Sequence, residues 1–253
     1  MKLLVTGLNG TLAPVVADCA RARGHTIVGW DRSRVDPGDV AGAQSWLESQ
    51  APAAIAHLAL GSVEWSAWLA GYARDHALTF VFTSTAMVFH HEPDGPHRVE
   101  DPRNARDDYG RYKVECEDAV RAAHAHATML RLGWQIDPDR AGNNMLHALD
   151  AWQRRDGCVA ASRAWRPACS FMADTAEAIV DLLERALPGV QHFDSNARDA
   201  HSFVEIVEAL RTQYARSDWV VKEHDEYRHD QRLVGGDLVA PPLSRRLTAL
   251  PRR

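Results

Sequence analysis

The chain has 253 residues, 45% of them hydrophobic, and its 29 Lys and Arg against 34 Asp and Glu leave a net charge of -5. This length suits one large α/β domain or two small ones. The acidic balance provides no general basic field for nucleic acid or an anionic membrane surface, so we expect neither as a partner.

The apolar runs, the N-terminal residues and the cysteines predict the cellular location of the protein. No apolar run approaches the length that spans a bilayer, and the first ten residues, MKLLVTGLNG, lack a signal-peptide cleavage site. The four cysteines, at 19, 116, 158 and 169, form no CxxC pair and have no close histidine partner. We therefore predict a cytoplasmic protein whose thiols are reduced and mostly buried.

The first thirty residues alternate between strand and helix patterns. An apolar run at 1–6 predicts a buried strand, and a glycine turn at 7–10 follows it. Apolar spacing predicts a helix over 11–23, with Gly24 after its end, and a second strand over 26–30. Together these elements predict a βαβ unit.

The alternation continues to residue 132 and then loosens. Further helices are predicted at 40–50, 66–76, 107–126, 143–154, 174–187 and 202–214, and further strands at 53–58, 78–83, 128–132 and 190–193. This order predicts a doubly wound parallel sheet of the Rossmann type. Residues 1–135 would form the dinucleotide-binding core, and 136–253 a smaller substrate lobe of the same structural unit. The polar segment 220–253 is predicted to be a lobe edge and a frayed tail.

The first chemical signal is the turn after the first strand. Gly7 and Gly10 let the backbone turn tightly beside a pyrophosphate, whose charge the following helix N-terminus stabilises. Asp31, at the tip of the second strand, can accept hydrogen bonds from a ribose. A glycine turn that binds nothing is the alternative, but the position between strand and helix favours dinucleotide binding.

The second signal is a Tyr-x-x-x-Lys string. Tyr109 and Lys113 are four residues apart, so on a helix they share one face, and a nearby ammonium stabilises a tyrosinate that acts as acid or base. Thr85, after the strand at 78–83, can hydrogen-bond the reacting oxygen. The competing interpretation is a Tyr and a Lys on a solvated helix face. The presence of Thr85 in the right order makes this interpretation less favoured.

These motifs together resemble the extended short-chain dehydrogenases/reductases, in the dTDP-4-dehydrorhamnose reductase-like, sugar nucleotide-binding branch. The resemblance rests on VTGLNGTLA at the start, FTSTAMVF at 82–89, the segment 92–118 with its YGRYK, LRLGW at 130–134, GNN at 142–144, SFMADTAEAI at 170–179 and GVQHF at 189–193. It extends to about residue 215.

The resemblance implies an NAD(P)-dependent oxidoreductase with a nucleotide-linked keto-sugar as substrate, and a homodimer. A smaller carbonyl compound fits the shortened chain equally well. It assigns catalysis to Thr85, Tyr109 and Lys113. The predicted cofactor-binding residues are Gly7, Asn9, Gly10, Thr11, Leu12, Asp31, Arg32, Leu58, Ala59 and Lys113. The predicted substrate-binding residues are Thr85, Ala86, Met87, Tyr109, Trp134, Asn143 and Asn144. Asp31 favours NAD, while Arg32 could accept the 2′-phosphate of NADP.

Departures from the family pattern leave alternatives open. Ala86 and Met87 stand where the family has Asp-Tyr, and the connection from His57 to Thr85 is short. An NAD-dependent epimerase or dehydratase, or a non-catalytic dinucleotide-binding regulatory protein, would also fit. Core packing is the alternative reading of Trp134.

No metal site is predicted. The chain has thirteen histidines, and the segment with His90, His91, Glu92 and His97 is the most suggestive. Adjacent histidine side chains on an extended segment are expected to diverge, and no helical HxxxH or HExxH pair is present. We expect these histidines to lie in a solvated or substrate-facing loop.

Overall fold

The computed structural model describes residues 1–250 and has twelve strands within them. They are β1 (Lys2–Thr6), β2 (Thr26–Gly29), β3 (Ala54–His57), β4 (Thr79–Thr85), β5 (Thr128–Leu132), β6 (Trp134–Ile136), β7 (Val159–Ser162), β8 (Trp165–Arg166), β9 (Cys169–Phe171), β10 (Gly189–Phe193), β11 (Val221–His224) and β12 (His229–Asp230). Six of them form one sheet in the order β10-β5-β4-β3-β1-β2. Its pairs β1–β2, β1–β3 and β3–β4 are parallel, which confirms the predicted α/β sheet.

Seven α-helices occur in the part of the chain that the structure describes. They are α1 (Leu12–Ala22), α2 (Val40–Gln50), α3 (Val63–Asp75), α4 (Asp108–Ala123), α5 (Met145–Asp156), α6 (Met172–Glu184) and α7 (Phe203–Gln213). Between residues 1 and 250, none of the helices combines the length and the apolar character needed to cross a membrane. All four cysteines are free thiols; Cys116 and Cys169 are buried, as expected, whereas Cys19 and Cys158 are partly exposed.

The chain folds into two compact units. The first consists of residues 1–84, 111–130 and 175–191, and the second of 85–110, 131–174 and 192 onward. Each unit is therefore assembled from three separated stretches. The predicted boundary between residues 135 and 136 stays a prediction.

The first unit has a core in which buried strand residues meet the inner faces of α2, α3 and α4. Leu4 and Ile55 are fully buried there, together with Leu69 and Val120 on the helices. Trp30 lies at the centre of an aromatic cluster, with the ring centroids of Trp46 at 5.0 Å and Trp65 at 5.4 Å. Aromatic burial of this size supplies a large part of the apolar area that stabilises the sheet.

The second unit has its own core, around α5 and α7. Three two-stranded parallel pairs contribute to it, β6–β9, β7–β11 and β8–β12. Phe203 and Leu210 of α7 are buried in it, and Trp219 is 2% exposed, with its indole N–H donating to Asp150 Oδ1 at 2.9 Å. This buried donor has the partner that a desolvated indole requires.

Several predicted boundaries differ from the structure because of capping side chains. Helix α3 begins three residues earlier than predicted, since Ser62 Oγ accepts the N–H of Trp65 at 3.1 Å. Helix α5 begins two residues later, because the extended residue Asn144 is its N-cap. Strand β4 was predicted over 78–83 and extends from Thr79 to Thr85 in the structure.

The C-terminal segment is a correction to the prediction of a lobe edge with a frayed tail. Strands β11 and β12 lie in it, and Leu243, Leu247 and Leu250 are buried in the core of the second unit. Arg246 Nε donates to Asp174 Oδ1 at 2.8 Å, so this basic residue is ion-paired and not frayed. The neighbouring pair at 252 and 253 lies outside the described residues.

Candidate functional site

The turn between β1 and α1 has the geometry of a phosphate cradle. The N–H of Gly10 donates to the carbonyl of Gly7 at 2.8 Å, and Gly7 has a positive φ of 83°. A Cβ at Gly7 would lie 3.0 Å from the backbone nitrogen of Ala59 and 3.2 Å from the carbonyl carbon of Leu58. Only glycine lets the ends of β1 and β3 approach so closely. This is the position where a dinucleotide-binding turn needs a bare backbone.

Helix α1 presents its N-terminus at this turn. The Thr11 side chain makes no capping hydrogen bond there, and the first turn of the helix contains no acidic residue. The positive end of the helix dipole therefore has no anion from the chain itself in that turn, which suits a bound phosphate. Predicted cofactor residues 9–12 all belong to this turn and helix start.

A buried threonine joins the two strand ends beneath the turn. Thr6 Oγ1 accepts the N–H groups of Leu58 and Ala59, each at 3.0 Å, and lies 2.9 Å from Nδ1 of His57. Nε2 of that imidazole lies 3.1 Å from Ser66 Oγ. Burial lowers the pKa of His57 to about 3, with the Lys113 charge adding to the shift. Sequence reasoning did not single out this group.

Asp31 and Arg32 follow β2 at the same edge of the sheet. Asp31 Oδ1 accepts the N–H of Ser33 at 2.9 Å and its hydroxyl at 2.7 Å, and these bonds lower the pKa of the exposed carboxyl. Arg32 Nη1 donates to the carbonyl of Leu60 at 3.2 Å. The first unit thus brings Gly7, Gly10, Asp31, Arg32, Leu58 and Ala59 to the carboxyl ends of β1, β2 and β3.

Lys113 is buried against β4. It is 2% exposed, its Nζ donates to the carbonyl of Thr83 at 2.9 Å, and the ammonium lies 4.7 Å from the centre of the Phe82 ring. Desolvation lowers the pKa of this lysine to about 8, although Cys116 and Glu117 oppose the shift. Its charge is held at one place by these contacts, one helical turn after Tyr109.

Two further polar contacts anchor α4 in the first unit, and the sequence had indicated neither. Ser84 donates its hydroxyl proton to Glu117 Oε1 at 2.6 Å, and Glu117 is fully buried. Tyr112 Oη donates to the carbonyl of Gly61 at 2.9 Å and accepts its N–H at 3.2 Å. Tyr112 is therefore engaged in structure. The helical spacing of Glu117 four residues after Lys113 was the one signal that could have revealed it.

The second unit contains two of the three predicted catalytic residues, Thr85 and Tyr109. Thr85 Oγ1 accepts the N–H of Met87 at 3.2 Å, which leaves its own O–H to donate. A Cβ at Gly110 would lie 2.3 Å from the carbonyl oxygen of Met87, so glycine allows α4 to start directly against the segment after β4. The Gly110 N–H donates to Asp107 Oδ1 at 2.8 Å. Tyr109 and Met87 are 41% and 40% exposed, whereas Ala86 is buried.

The remaining predicted substrate residues have mainly structural contacts. Trp134 packs in the second core, with ring centroids 5.9 Å from Trp152 and 6.1 Å from Phe203. Asn144 is 1% exposed, and its amide accepts the N–H of His147 at 3.1 Å and donates to the carbonyl of Arg140 at 2.8 Å. Asn143 is exposed. Roles for all three in substrate binding stay predictions.

The histidine segment differs from its prediction. The ring centroids of His90 and His91 lie 3.9 Å apart, so the expected divergence of their side chains is wrong. Among residues 1–250, His90, His91 and Glu92 are the one group of three potential ligands whose ligand atoms lie within 4.8 Å of one another. Glu92 also pairs with Arg106, with an Oε2–Nη1 distance of 3.3 Å.

The parallel sheet, the glycine turn and the Tyr-x-x-x-Lys helix define a Rossmann-fold protein of the extended short-chain dehydrogenase/reductase class. The model of the RmlD substrate binding domain matches residues 62–223, and the chain belongs to this family.

Known proteins agree in fold with this assignment. The chain is 25% identical over 213 residues to a dTDP-4-dehydrorhamnose reductase of Mycolicibacterium smegmatis. The matched region covers 76% of this chain and 63% of the relative's length. The crystal structure of the Bacillus anthracis dTDP-4-dehydrorhamnose reductase with NADP has a TM-score of 0.80 at 17% identity, over 97% of this chain and 96% of the other. The Bordetella bronchiseptica enzyme WbmH with NAD+ has a TM-score of 0.75 at 19% identity, over 98% and 96%.

Proposed function

We propose that the protein is an NAD(P)-dependent oxidoreductase that interconverts a carbonyl and an alcohol on a nucleotide-linked sugar or a related small molecule. The observation that carries the proposal is Lys113, a buried lysine held against β4 one helical turn after the exposed Tyr109. A solvated helix face would not bury its lysine. Family membership and the likeness to the M. smegmatis reductase support the sugar-nucleotide class of substrate.

The residues of the first unit fit a dinucleotide. The bare backbone at Gly7 and the α1 N-terminus suit the pyrophosphate, and Asp31 suits the adenosine ribose. A bound nicotinamide would supply or accept the hydride. Asp31 favours NAD, whereas Arg32, two residues from a second arginine, offers a partner for a 2′-phosphate. Fluorescence titration with NADH and NADPH distinguishes them, and Arg32→Ala should weaken NADPH binding alone if the guanidinium holds that phosphate.

Each reacting group of the chain has one role in this proposal. Tyr109 Oη donates its proton to the carbonyl oxygen as that oxygen becomes an alcohol, and Thr85 O–H orients the same oxygen. The positive charge of Lys113 stabilises the tyrosinate left behind. In the oxidative direction the tyrosinate accepts the proton back. Proton transfer to or from the reacting oxygen by a positioned side chain is typically worth about 10²–10⁴-fold in rate.

Oxidation of NADH and NADPH against a panel of nucleotide-linked keto-sugars and small carbonyl compounds tests the activity. We expect turnover by the wild type, and a loss of at least about 100-fold in Tyr109→Phe with dinucleotide binding retained. Tyr112→Phe is the matched control, because its hydroxyl binds Gly61 and should affect stability more than turnover. Undiminished turnover in Tyr109→Phe would remove the proposed mechanism.

A second function is favoured by the residues after Thr85. Ala86 and Met87 have no polar side-chain group for a sugar hydroxyl, so a non-catalytic dinucleotide-binding regulatory protein is the main alternative. Dinucleotide binding without turnover on any panel member would support it. An epimerase or dehydratase would instead keep its NAD through purification without exchange.

We propose a homodimer in the cytoplasm as the setting of this activity. The family resemblance relates Trp65 and Trp68 of α3 to a dimer contact; Trp65 is buried in the core of the first unit at 3% exposed, whereas Trp68 is partly buried and packs against that core. Light scattering after size-exclusion chromatography tests the dimer, and cell fractionation tests the compartment. A monomeric mass at micromolar concentration would contradict the proposed homodimer.

A further inference from the structure

Two buried histidines face each other in the second unit, and neither has been given a role above. Nε2 of His97 lies 3.2 Å from Nε2 of His229, and the two side chains belong to residues that are 5% and 2% exposed. Two imidazole nitrogens that bind the same tetrahedral Zn²⁺ ion, each at about 2.0–2.1 Å, lie roughly 3.3–3.4 Å apart. The observed separation is close to that of two ligands of one metal ion.

Other side chains orient both rings. His97 stacks on Phe89, with ring centroids 4.5 Å apart and an interplanar angle of 7°. Nδ1 of His229 lies 3.1 Å from Tyr227 Oη. A metal-binding imidazole commonly donates its second ring N–H to an oxygen, which fixes the tautomer and the ring plane. The Tyr227 oxygen is in the position to accept that proton when Nε2 of His229 binds a metal.

The backbone holds the two histidines in register. The N–H of His97 donates to the carbonyl of Arg232 at 2.8 Å, and the N–H of Val234 donates to the carbonyl of His97 at 2.9 Å. Asp94 Oδ1 accepts the N–H of Asp230 at 2.5 Å. These bonds tie the segment 94–97 to the segment 230–234, so the pair of rings needs little ordering before it binds an ion.

The local charge also suits a cation. Asp94 and Asp230 are close enough to act on His229 electrostatically, and Asp101 acts in the same direction on His97. Arg232 offsets part of this field, because its guanidinium makes two bonds to the Asp230 carboxylate, at 2.8 and 2.7 Å. His91, which is partly buried, has its ring centroid 6.1 Å from that of His229 and offers a third imidazole after a side-chain rotation.

We propose that His97 and His229 bind one divalent transition-metal ion of the Zn²⁺ class through their Nε2 atoms, with His91 as the third ligand. Imidazole donors prefer Zn²⁺, Cu²⁺, Ni²⁺ and Co²⁺ over Mg²⁺ and Ca²⁺. The ion would clamp the segment after β4 to the C-terminal segment. The sequence alone predicted no metal site, because residues 97 and 229 are 132 positions apart.

The tandem group His90, His91 and Glu92 is the competing site, and it is less suited. His90 Nδ1 accepts the N–H of Glu92 at 3.2 Å, and the Glu92 carboxylate pairs with Arg106. A direct N–H···N hydrogen bond between His97 and His229 is the other reading of their contact. The experiment below separates all three arrangements.

The full-length protein, stripped with EDTA, is titrated with Zn²⁺ in competition with a chromogenic chelator, and its Tm is followed with and without Zn²⁺. We expect the wild type to bind one Zn²⁺ per chain and to show a rise in Tm. In His97→Gln and His229→Gln the Kd for Zn²⁺ should increase at least tenfold, and the rise in Tm should be smaller. Tyr227→Phe should weaken binding by about 10–100-fold, as loss of a partner of a ligand does. His126→Gln, an exposed histidine, is the matched control and should bind as the wild type does.

Two results would overturn the proposal. One is a wild type that binds no Zn²⁺, which leaves the pair hydrogen-bonded. The other is loss of binding in His90→Gln together with unchanged binding in His97→Gln and His229→Gln, which assigns the ion to the tandem group. If a histidine variant fails to fold, X-ray absorption of the Zn²⁺-loaded wild type counts the ligands. Three imidazoles per metal support the site, and two or fewer contradict it.

Discussion

Thr6 Oγ1 lies 2.9 Å from Nδ1 of the buried His57, and this contact determines which ring nitrogen carries the proton. The Thr6 oxygen already accepts two backbone N–H groups, so its own proton is donated to Nδ1. Nε2 therefore carries the imidazole proton and donates to Ser66 Oγ at 3.1 Å. A neutral histidine thus connects the glycine turn to the start of α3.

This histidine predicts how stability depends on pH. The pKa of His57 is about 3 in the folded chain and about 6.5 in an unfolded chain, so the unfolded state binds the extra proton between these values. The free energy of unfolding should fall by about 1.4 kcal/mol per pH unit as pH decreases through that window. His57→Asn removes the group. Urea unfolding of both proteins from pH 7 to pH 4 should show a shallower slope for the variant, and equal slopes would contradict the assignment.

Gly7 and Gly24 make a matched pair for testing the cradle. Both have a positive φ, 83° and 80°, but a Cβ at Gly7 meets the Ala59 backbone at 3.0 Å while nothing lies within 4 Å at Gly24. Gly24→Ala should cost only the left-handed strain, about 1–2 kcal/mol. Gly7→Ala should destabilise the protein more and should weaken dinucleotide binding at least tenfold. Titration with NADH or NADPH and urea unfolding measure the two effects. Equal effects of the two variants would argue against the close approach.

The pKa of Lys113, about 8, predicts an alkaline limit of activity. Below this pH the ammonium is charged and can stabilise the tyrosinate of Tyr109, and above it the charge is lost. The pH profile of kcat/KM should therefore fall above about pH 8. Lys113→Arg, whose guanidinium does not titrate in this range, should move the fall to higher pH even where its maximal rate is lower. A limit that stays at the same pH in the variant would assign it to another group.

Glu117 is expected to be a positioning residue for Lys113. Its carboxylate accepts the Ser84 hydroxyl at 2.6 Å and opposes the lowered pKa of the lysine. Glu117→Ala should destabilise the protein by about 2–4 kcal/mol, because it leaves a cavity and a buried hydroxyl without its acceptor. Glu117→Gln should keep most of the stability and yet move the alkaline limit of kcat/KM to lower pH. A merely structural role would leave that limit unchanged.

The sequence predicted the main sheet and most helices because their signals are local. Apolar runs mark β1 and β5, and the apolar spacing of α2 gives its bounds as the structure has them. The errors occur where a single side chain decides an end, as Ser62 does for α3. The segment after residue 220 was misjudged because its few leucines are separated by polar and proline residues. Leu243 and Leu247 reveal their burial only once the core of the second unit exists.

The candidate site divides in the same way. Gly7, Tyr109 and Lys113 are candidates from the sequence because their spacing along the chain carries the chemistry, and their roles stay predictions. The contact of Thr6 with His57 and that of Ser84 with Glu117 could not be predicted, since the two pairs are separated by 51 and 33 positions in the sequence, respectively. The side-chain directions of His90 and His91 depend on local backbone geometry, which an alternation rule for regular strands does not describe.

The eight tryptophans fall evenly into the two compact units. In the first unit Trp46, Trp65 and Trp68 surround Trp30, and the four tryptophans of the second unit lie in the core with Phe203 or beside it. Each unit therefore contains its own set of intrinsic fluorophores. Replacing the tryptophans of one set by phenylalanine leaves an optical reporter of the other, so stepwise or concerted unfolding of the two units can be followed without any attached dye.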